Sequence, residues 1–170
     1  MAEYGRQAME GMQMRDVSKD ELYREVGRTL ELAQHLETNV VVYVTSLKAL
    51  EGAQYKEPAF AEWLFKEMEE QKKTLGPLVK EGVKALKEKG VDWSHVEAVF
   101  DEAVAARNHL AHSFFRKHGP RFNDASGRGE MLAHIAELQL KIQRARKVAE
   151  DIATLTAAKV ILLRRDSATS

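Results

Sequence analysis

The sequence predicts an all-α fold, in which one domain is built as an antiparallel bundle of four to five helices. Apolar residues recur at steps of three and four along most of the chain, which is the spacing of one helix face. Only 3 Pro and 10 Gly occur among the 170 residues, so few positions break a helix. No two segments have the alternating pattern of strands that could pair, and the length suits a single domain.

The first predicted helix follows an N-terminal arm. Residues 1–16 mix Met, Gly, Gln and charged side chains without a clear period, so we expect a flexible arm there. Ser18 and Glu21 have the spacing of a capping box, which predicts a helix start at this point. The apolar period then continues over 22–50. The valine-rich run 40–44 favours a strand by propensity, but the chain offers it no strand partner.

A second helical segment follows a short connection. Pro58 suits a first helical turn, and the apolar stripe over 60–68 predicts a helix there. The pair Gly76-Pro77 interrupts the pattern, which resumes over 78–89. The sequence leaves open whether this segment is one kinked helix or two packed helices.

A third long helix and a closing helix complete the predicted bundle. Ser94 and Glu97 repeat the capping-box spacing, and the apolar period runs from there to a break at 119–120. The turn-rich segment 121–129 follows, and a last helix takes up the period from Met131. The expected limits are 17–165 for the bundle domain and 166–170 for a disordered tail.

The charge and composition exclude several classes of protein. The 26 basic side chains balance 26 acidic ones, so only a local patch can attract nucleic acid. The chain has no Cys, which excludes disulfides, thiolate metal sites and cysteine nucleophiles. It has no apolar core of a signal peptide and no run approaching the roughly 20 apolar residues of a membrane span. We therefore expect a cytoplasmic protein with no membrane partner.

Arg107, Asn108 and His112 form the most informative cluster in the sequence. On a helix that advances about 100° per residue, Asn108 and His112 share a face, and Arg107 lies on the adjoining flank. We therefore expect the three side chains to line one side of a cleft. No acidic residue occurs over 103–123, whereas several basic residues do, and such a patch suits phosphate groups.

The segment 107–112, with the sequence RNHLAH, resembles the arginine, polar residue and spaced histidine motif of the HEPN domain family. HEPN domains are small helical bundles that typically dimerise so that the two motifs meet. Many of them are metal-independent ribonucleases that serve as toxins or defence effectors. The resemblance covers six residues strictly, and it extends loosely to the layout of a late long helix, a loop and a closing helix.

The motif is specific only in its full form. Arginine with a nearby histidine also occurs as Arg28 with His35 and as Arg128 with His134, and we interpret both pairs as surface coincidences. When asparagine must follow arginine and histidine must lie four residues further on, roughly 0.007 chance matches are expected in a chain of this composition.

The resemblance implies a homodimeric endoribonuclease that acts on RNA without a cofactor or metal. A ribose 2′-hydroxyl would attack the adjacent phosphorus, leaving a 2′,3′-cyclic phosphate and a 5′-hydroxyl. His112 would transfer protons, because imidazole titrates near neutral pH, and Arg107 would stabilise the phosphorane charge. Asn108 would orient His112 or a phosphate oxygen. The residues expected to bind the flanking RNA are His109, Arg116, Lys117 and Arg121.

Two other interpretations stay open from the sequence. The cluster can belong to a non-catalytic HEPN-like module that binds RNA or dimerises, within a toxin-antitoxin or defence complex that includes an antitoxin or operon partner. It can also be a buried polar network in which Arg107 pairs with Asp101 or Glu102, while the cations over 116–121 form a solvated helix end.

A metal site is not expected from the sequence. His109 and His112 are three residues apart and His118 is near, but the paired Glu-x-x-His spacings of a di-iron bundle are missing. Some HEPN toxins carry a tyrosine two residues after the motif histidine, which a partner nucleotidyltransferase modifies. Phe114 occupies that position here, which argues against this form of control.

Overall fold

The computed structural model describes residues 16–71, 73–88 and 93–168, and all regular structure within these residues is helical. The predicted all-α class is therefore confirmed, with six α-helices in the described residues where four to five were expected. Of the predicted N-terminal arm, residues 1–15 lie outside the described part of the chain. The helices are α1 (Lys19–Glu51), α2 (Phe60–Glu69), α3 (Leu75–Lys87), α4 (Ser94–His112), α5 (Phe114–His118) and α6 (Ala125–Ala168), and short 3₁₀ helices cover Gln54–Lys56 and Gly119–Asn123.

The start of α1 agrees with its sequence signal. Ser18 has extended backbone angles, and its side chain accepts a hydrogen bond from the Glu21 backbone N–H at 3.1 Å. The helix then runs without interruption through the valine-rich segment 40–44, where Val40, Tyr43 and Val44 are almost fully buried. Burial against neighbouring helices therefore outweighs the strand propensity of these side chains.

The two longest helices, α1 and α6, pack along one another more extensively than any other pair. At their starts, Arg128 donates hydrogen bonds to the Val17 carbonyl oxygen and to the Asp16 carboxylate. At their far ends, the Arg164 guanidinium donates to the carbonyl oxygens of Tyr55 and Glu57, both at 3.0 Å. These contacts show that α1 and α6 run parallel.

The expectation of a fully antiparallel bundle is therefore wrong for this pair. Neighbouring helices run parallel only where a long connection returns the chain, and the segment 52–124 provides that connection. The helix α4 does run opposite to its neighbours. It lies antiparallel to α3, since Lys87 is paired with Glu97 while Gly76 lies beside Val104.

Tyr43 of α1 packs directly against Gly82 of α3 in the core. A Cβ atom at position 82 would lie 2.0 Å from the Tyr43 hydroxyl oxygen and 2.3 Å from a ring carbon. The Tyr43 ring also stacks on Phe100 of α4, with 6.4 Å between the ring centroids. Only glycine at position 82 leaves room for this aromatic side chain.

The segment that the sequence left undecided contains two separate helices, α2 and α3. Gly76 and Pro77 do not interrupt a helix, because they lie in the first turn of α3, just after Thr74. A proline there removes no hydrogen bond, since the first backbone N–H groups of a helix have no partner within it. Pro58 lies in the turn before α2, which begins at Phe60.

The third long helix ends earlier than predicted. The helix α4 stops at His112, and Ser113 separates it from the short α5. The last helix begins at Ala125, where the Asp124 carboxylate accepts a hydrogen bond from the Gly127 backbone N–H at 2.8 Å. Most of the predicted turn 121–129 is therefore helical. Residues 166–168 continue α6, whereas 169 and 170 lie outside the described residues.

None of the helices in the described ranges combines the length and the apolar character that a membrane crossing needs.

Candidate functional site

Arg107, Asn108 and His112 lie at the surface of the last two turns of α4. Ala106 and Leu110 of the same helix are buried in the core, which turns Asn108 and His112 outward. Asn108 and His112 are exposed, and Arg107 is half-buried. Solvent therefore reaches the motif, so a ligand can approach it from outside.

The Arg107 guanidinium is held by its neighbour in sequence. Its Nη1 atom donates a hydrogen bond to Asn108 Oδ1 at 3.2 Å. Across the described ranges it forms no ion pair with a carboxylate, Asp101 and Glu102 included. The arginine charge is consequently not neutralised within this part of the chain and is available to an anion.

The motif residues do not all share one face of α4. Asn108 and His112 are four residues apart and stand one above the other. Arg107 and His112 are five residues apart, which separates them by about 140° around the helix axis. One copy of α4 thus presents its guanidinium and its imidazole in different directions.

The predicted RNA-binding cations lie on the segment after α4. Arg116 and Lys117 are exposed on α5, and Arg121 is exposed in the following 3₁₀ helix. Arg121 forms an ion pair with Glu130, with 2.8 Å between Nη1 and Oε2. Part of the positive charge of this segment is therefore compensated.

His109, a predicted RNA-binding residue, belongs to a second cluster on the flank of the motif. It is half-buried and meets His118 of α5 and His134 of α6. One ring nitrogen from each histidine lies within 4.8 Å of those from the other two. The shortest of these distances, between His118 Nε2 and His134 Nδ1, is 3.0 Å. We call these three residues the histidine cluster.

Phe114 packs against all three rings of the histidine cluster. Its side chain is fully buried, and its ring centroid lies 4.8 Å from that of His118, 5.7 Å from His134 and 6.0 Å from His109. The helix break at Ser113 positions this ring, because it turns the chain so that Phe114 points into the core directly after α4. The residue that stands where some HEPN toxins have a tyrosine is thus a core residue here.

Two members of the histidine cluster have lowered pKa values. Burial lowers the pKa of His109, and the positive charges of Lys117, His134 and His118 lower it further. Burial also lowers the pKa of His118, together with the charges of His134, Arg121 and Lys117, while Glu130 opposes this effect. Both rings are consequently held in their neutral form at neutral pH.

The histidine cluster opens into a pocket of about 540 Å³. Glu102, Lys117 and Lys141 contribute charged groups to its wall, beside the apolar side chain of Leu138. The pocket is therefore lined by imidazole rings together with charged groups of both signs.

Sequence reasoning missed His134. From the sequence, Arg128 and His134 are interpreted as a chance pair on the surface. In the structure, Arg128 instead donates a hydrogen bond to the Val17 carbonyl oxygen, just before α1, and His134 is half-buried. The available signal is that His134 lies beside Met131 and Ile135, in the buried stripe of α6. A polar residue at that position indicates a specific partner, although only the packing of α4 and α5 on α6 identifies it.

No protein-family model, no curated protein and no solved structure matches this chain.

Proposed function

We propose that the chain is a HEPN-like, homodimeric endoribonuclease that works without a metal, with Arg107, Asn108 and His112 at its active site. The observation that carries this proposal is that Asn108 and His112 are exposed one turn apart on α4, with the Arg107 guanidinium fixed by Asn108. This arrangement offers an imidazole ring to a phosphodiester, together with a cation that no carboxylate of the described residues neutralises. The role that we propose for it is that of a toxin or defence effector in the cytoplasm, with an antitoxin or operon protein as its partner.

The directions of the side chains favour a dimer. Since Arg107 and His112 of one chain diverge by about 140° around α4, a single copy surrounds a phosphate poorly. Two copies of α4 that meet at the motif would bring the guanidinium of one protomer to the imidazole of the other. A closed twofold arrangement of this type is the commonest form of small oligomer.

The residue types fit the cleavage of RNA by its own 2′-hydroxyl. As the 2′-oxygen attacks the phosphorus, one His112 ring accepts its proton, and the ring of the second protomer gives a proton to the departing 5′-oxygen. Arg107 donates hydrogen bonds to the phosphorane oxygens, whose negative charge grows in the transition state. Asn108 acts on Arg107 rather than on His112, because its amide oxygen holds the guanidinium in place.

The cationic segment after α4 would hold the RNA on either side of the cleaved bond. Arg116 and Lys117 can contact backbone phosphates without regard to sequence, and Arg121 can do so when it leaves Glu130. Such contacts make binding weaker as the salt concentration rises.

The test is cleavage of end-labelled RNAs of varied sequence by the purified untagged chain, in buffer with a chelator. We expect fragments that end in 2′,3′-cyclic phosphate and 5′-hydroxyl. Arg107→Ala and His112→Ala should each lower the cleavage rate by about 10² to 10⁴-fold. His95→Ala is the matched control, because His95 is an exposed histidine at the opposite end of the same helix, and its rate should equal that of the parent.

Two results would overturn the proposal that the chain is an endoribonuclease. Intact RNA after incubation with folded parent protein is one, and equal cleavage by the Arg107 and His112 variants is the other. If the intact RNA is nevertheless bound, and Arg107→Ala weakens that binding, the chain is the non-catalytic RNA-binding module instead.

A further inference from the structure

We infer that His109, His118 and His134 form a binding site for one divalent transition-metal ion of the zinc type, distinct from the proposed catalytic residues Arg107, Asn108 and His112. Three helices each supply one ligand, namely α4, α5 and α6. Imidazole is a preferred ligand of Zn²⁺, Ni²⁺, Cu²⁺ and Fe²⁺, and no carboxylate or thiolate is needed to complete a set of three.

The hydrogen bonds of His109 fix which of its nitrogens is free. The Ser113 hydroxyl donates its proton to the His109 carbonyl oxygen at 3.1 Å. The same hydroxyl oxygen lies 2.8 Å from His109 Nδ1, so it accepts the Nδ1 proton. The remaining nitrogen, Nε2, then carries a lone pair, and it is buried without a hydrogen-bond partner among the described residues. This combination of an oriented ring and an unused inner nitrogen is typical of metal-binding histidine.

His118 and His134 present two further nitrogens at ligand spacing. Tetrahedral zinc with nitrogen ligands at about 2.0–2.1 Å places those nitrogens about 3.3 Å apart. His118 Nε2 and His134 Nδ1 are already 3.0 Å apart, and each of the three rings has a nitrogen within 4.8 Å of a nitrogen of the other two. Small rotations of the rings suffice to bring all three to one ion.

Binding of one ion by both facing nitrogens of His118 and His134 requires a change of tautomer in one ring. In the metal-free pair, one of the two facing nitrogens of His118 and His134 carries a hydrogen and donates it to the other. For both to bind a cation, the donating ring moves its hydrogen to its other nitrogen.

The three histidines also line the open pocket, which can supply a fourth ligand to a bound ion. Three protein ligands with an open position are the arrangement of zinc sites that exchange a ligand, whereas purely structural sites are closed by four side chains. Glu102 on the pocket wall can favour the cation, and Lys117 and Lys141 can attract an anion to it. We therefore expect the open position to accept water or a small anion.

The test uses the untagged chain, stripped by a chelator and then dialysed, so that no affinity tag supplies histidines. Co²⁺ and Zn²⁺ are titrated into it and followed by calorimetry, and for Co²⁺ also by visible absorption. We expect one ion per chain and the intense visible bands of a four-coordinate cobalt site. His109→Gln, His118→Gln and His134→Gln should each weaken binding by about tenfold or more. His35→Gln and His95→Gln remove exposed histidines outside the cluster and should bind as the parent does.

A second measurement does not depend on the folding of variants. X-ray absorption of the zinc-loaded parent should report three imidazole ligands, and zinc should raise its melting temperature. A parent that binds no ion, or that binds it through fewer than three imidazoles, would overturn the inference. The result is independent of the nuclease test, which is run with a chelator and depends on Arg107 and His112.

Discussion

At the scale of single residues, two helical glycines should respond in opposite ways to the same substitution. Gly27 of α1 is exposed, and nothing lies within 4 Å of the position its Cβ would take. Gly82 of α3 faces the Tyr43 ring, with 2.0 Å between that position and the hydroxyl oxygen. The added methyl group lowers the entropy of the unfolded chain in both cases, but only at position 82 does it clash with the core.

We expect Gly82→Ala to lower the free energy of unfolding by about 1–3 kcal/mol. Gly27→Ala should raise it by about 0.4–1 kcal/mol. Urea denaturation followed by circular dichroism measures both. Tyr43→Phe should not rescue Gly82→Ala, because ring carbons would still lie 2.3 and 2.4 Å from the new Cβ atom. Equal stability of Gly82→Ala and the parent would show that α1 and α3 are not in close contact.

Single residues also show what a sequence can and cannot reveal about a site. Arg107, Asn108 and His112 are recognisable because the motif is local, and helical spacing alone predicts which of them share a face. His134 is not recognisable, since it joins His109 only through the packing of two helices distant in sequence. The expectation that the chain has no metal site was based on His109, His112 and His118. The fold instead groups His109 and His118 with His134 and leaves His112 outside.

At the scale of helices, the start of α6 depends on one side chain. The Asp124 carboxylate accepts a hydrogen bond from the Gly127 N–H, and its negative charge lies at the positive end of the helix dipole. We expect Asp124→Ala to lower the free energy of unfolding by about 0.5–2 kcal/mol, whereas Asp124→Asn should lose less, because it keeps an acceptor oxygen. Thermal unfolding of the two variants beside the parent checks this. An Asn variant as unstable as the Ala variant would argue against the cap.

The helix boundaries were predictable where the signal is a local side chain. Ser18 is an example, because its hydroxyl caps α1 as its spacing from Glu21 indicates. The end of α4 at His112 was not predictable, since neither glycine nor proline occurs there and the predicted break was the pair at 119–120. The chain turns at Ser113 because Phe114 gains burial in the core, and this benefit comes from tertiary packing.

At the scale of the whole molecule, one group of ion pairs joins three helices. The Glu81 carboxylate of α3 lies 2.6 Å from Lys73 Nζ and 3.6 Å from Lys48 Nζ of α1. Lys48 also pairs with Glu67 of α2 at 3.2 Å. Burial raises the pKa of Glu81, but hydrogen bonds and charge from Lys73 and Lys48 outweigh this effect and lower it overall.

A lowered pKa means that the folded state holds the Glu81 proton less tightly than the unfolded chain does. Its contribution to stability is thus present above the ordinary pKa of about 4.5 and is lost as the pH falls through the folded pKa. We expect Glu81→Gln to be less stable than the parent by up to about 1 kcal/mol at pH 7, since the pair is partly exposed. Below pH 4.5 the difference should shrink, as urea denaturation across pH would show.

Glu137→Gln is the control for this pH dependence, because Glu137 is an exposed carboxylate of α6. The difference in the free energy of unfolding between Glu137→Gln and the parent should stay constant over the same pH range. If the loss of stability in Glu81→Gln does not change with pH, the ion pairs of Glu81 are not its cause.

The overall topology was predictable only in part. The apolar periods predict the helical class and most helices, but they contain no information on the direction in which distant helices pass one another. The parallel arrangement of α1 and α6 depends on contacts such as those of Arg128 and Arg164, which join residues more than 100 positions apart. Contacts at such separations are set by the folded shape and not by any local pattern.

The pairing of the first and last long helices has a consequence for biosynthesis. The apolar stripe of α1, which includes Leu22, Leu36 and Val40, leaves the ribosome before its main partner α6, because the segment 52–124 is translated between them. Until then the nascent polypeptide carries uncovered hydrophobic surface, the kind that chaperones bind. The core of this helical bundle can therefore close only after α6 has been translated.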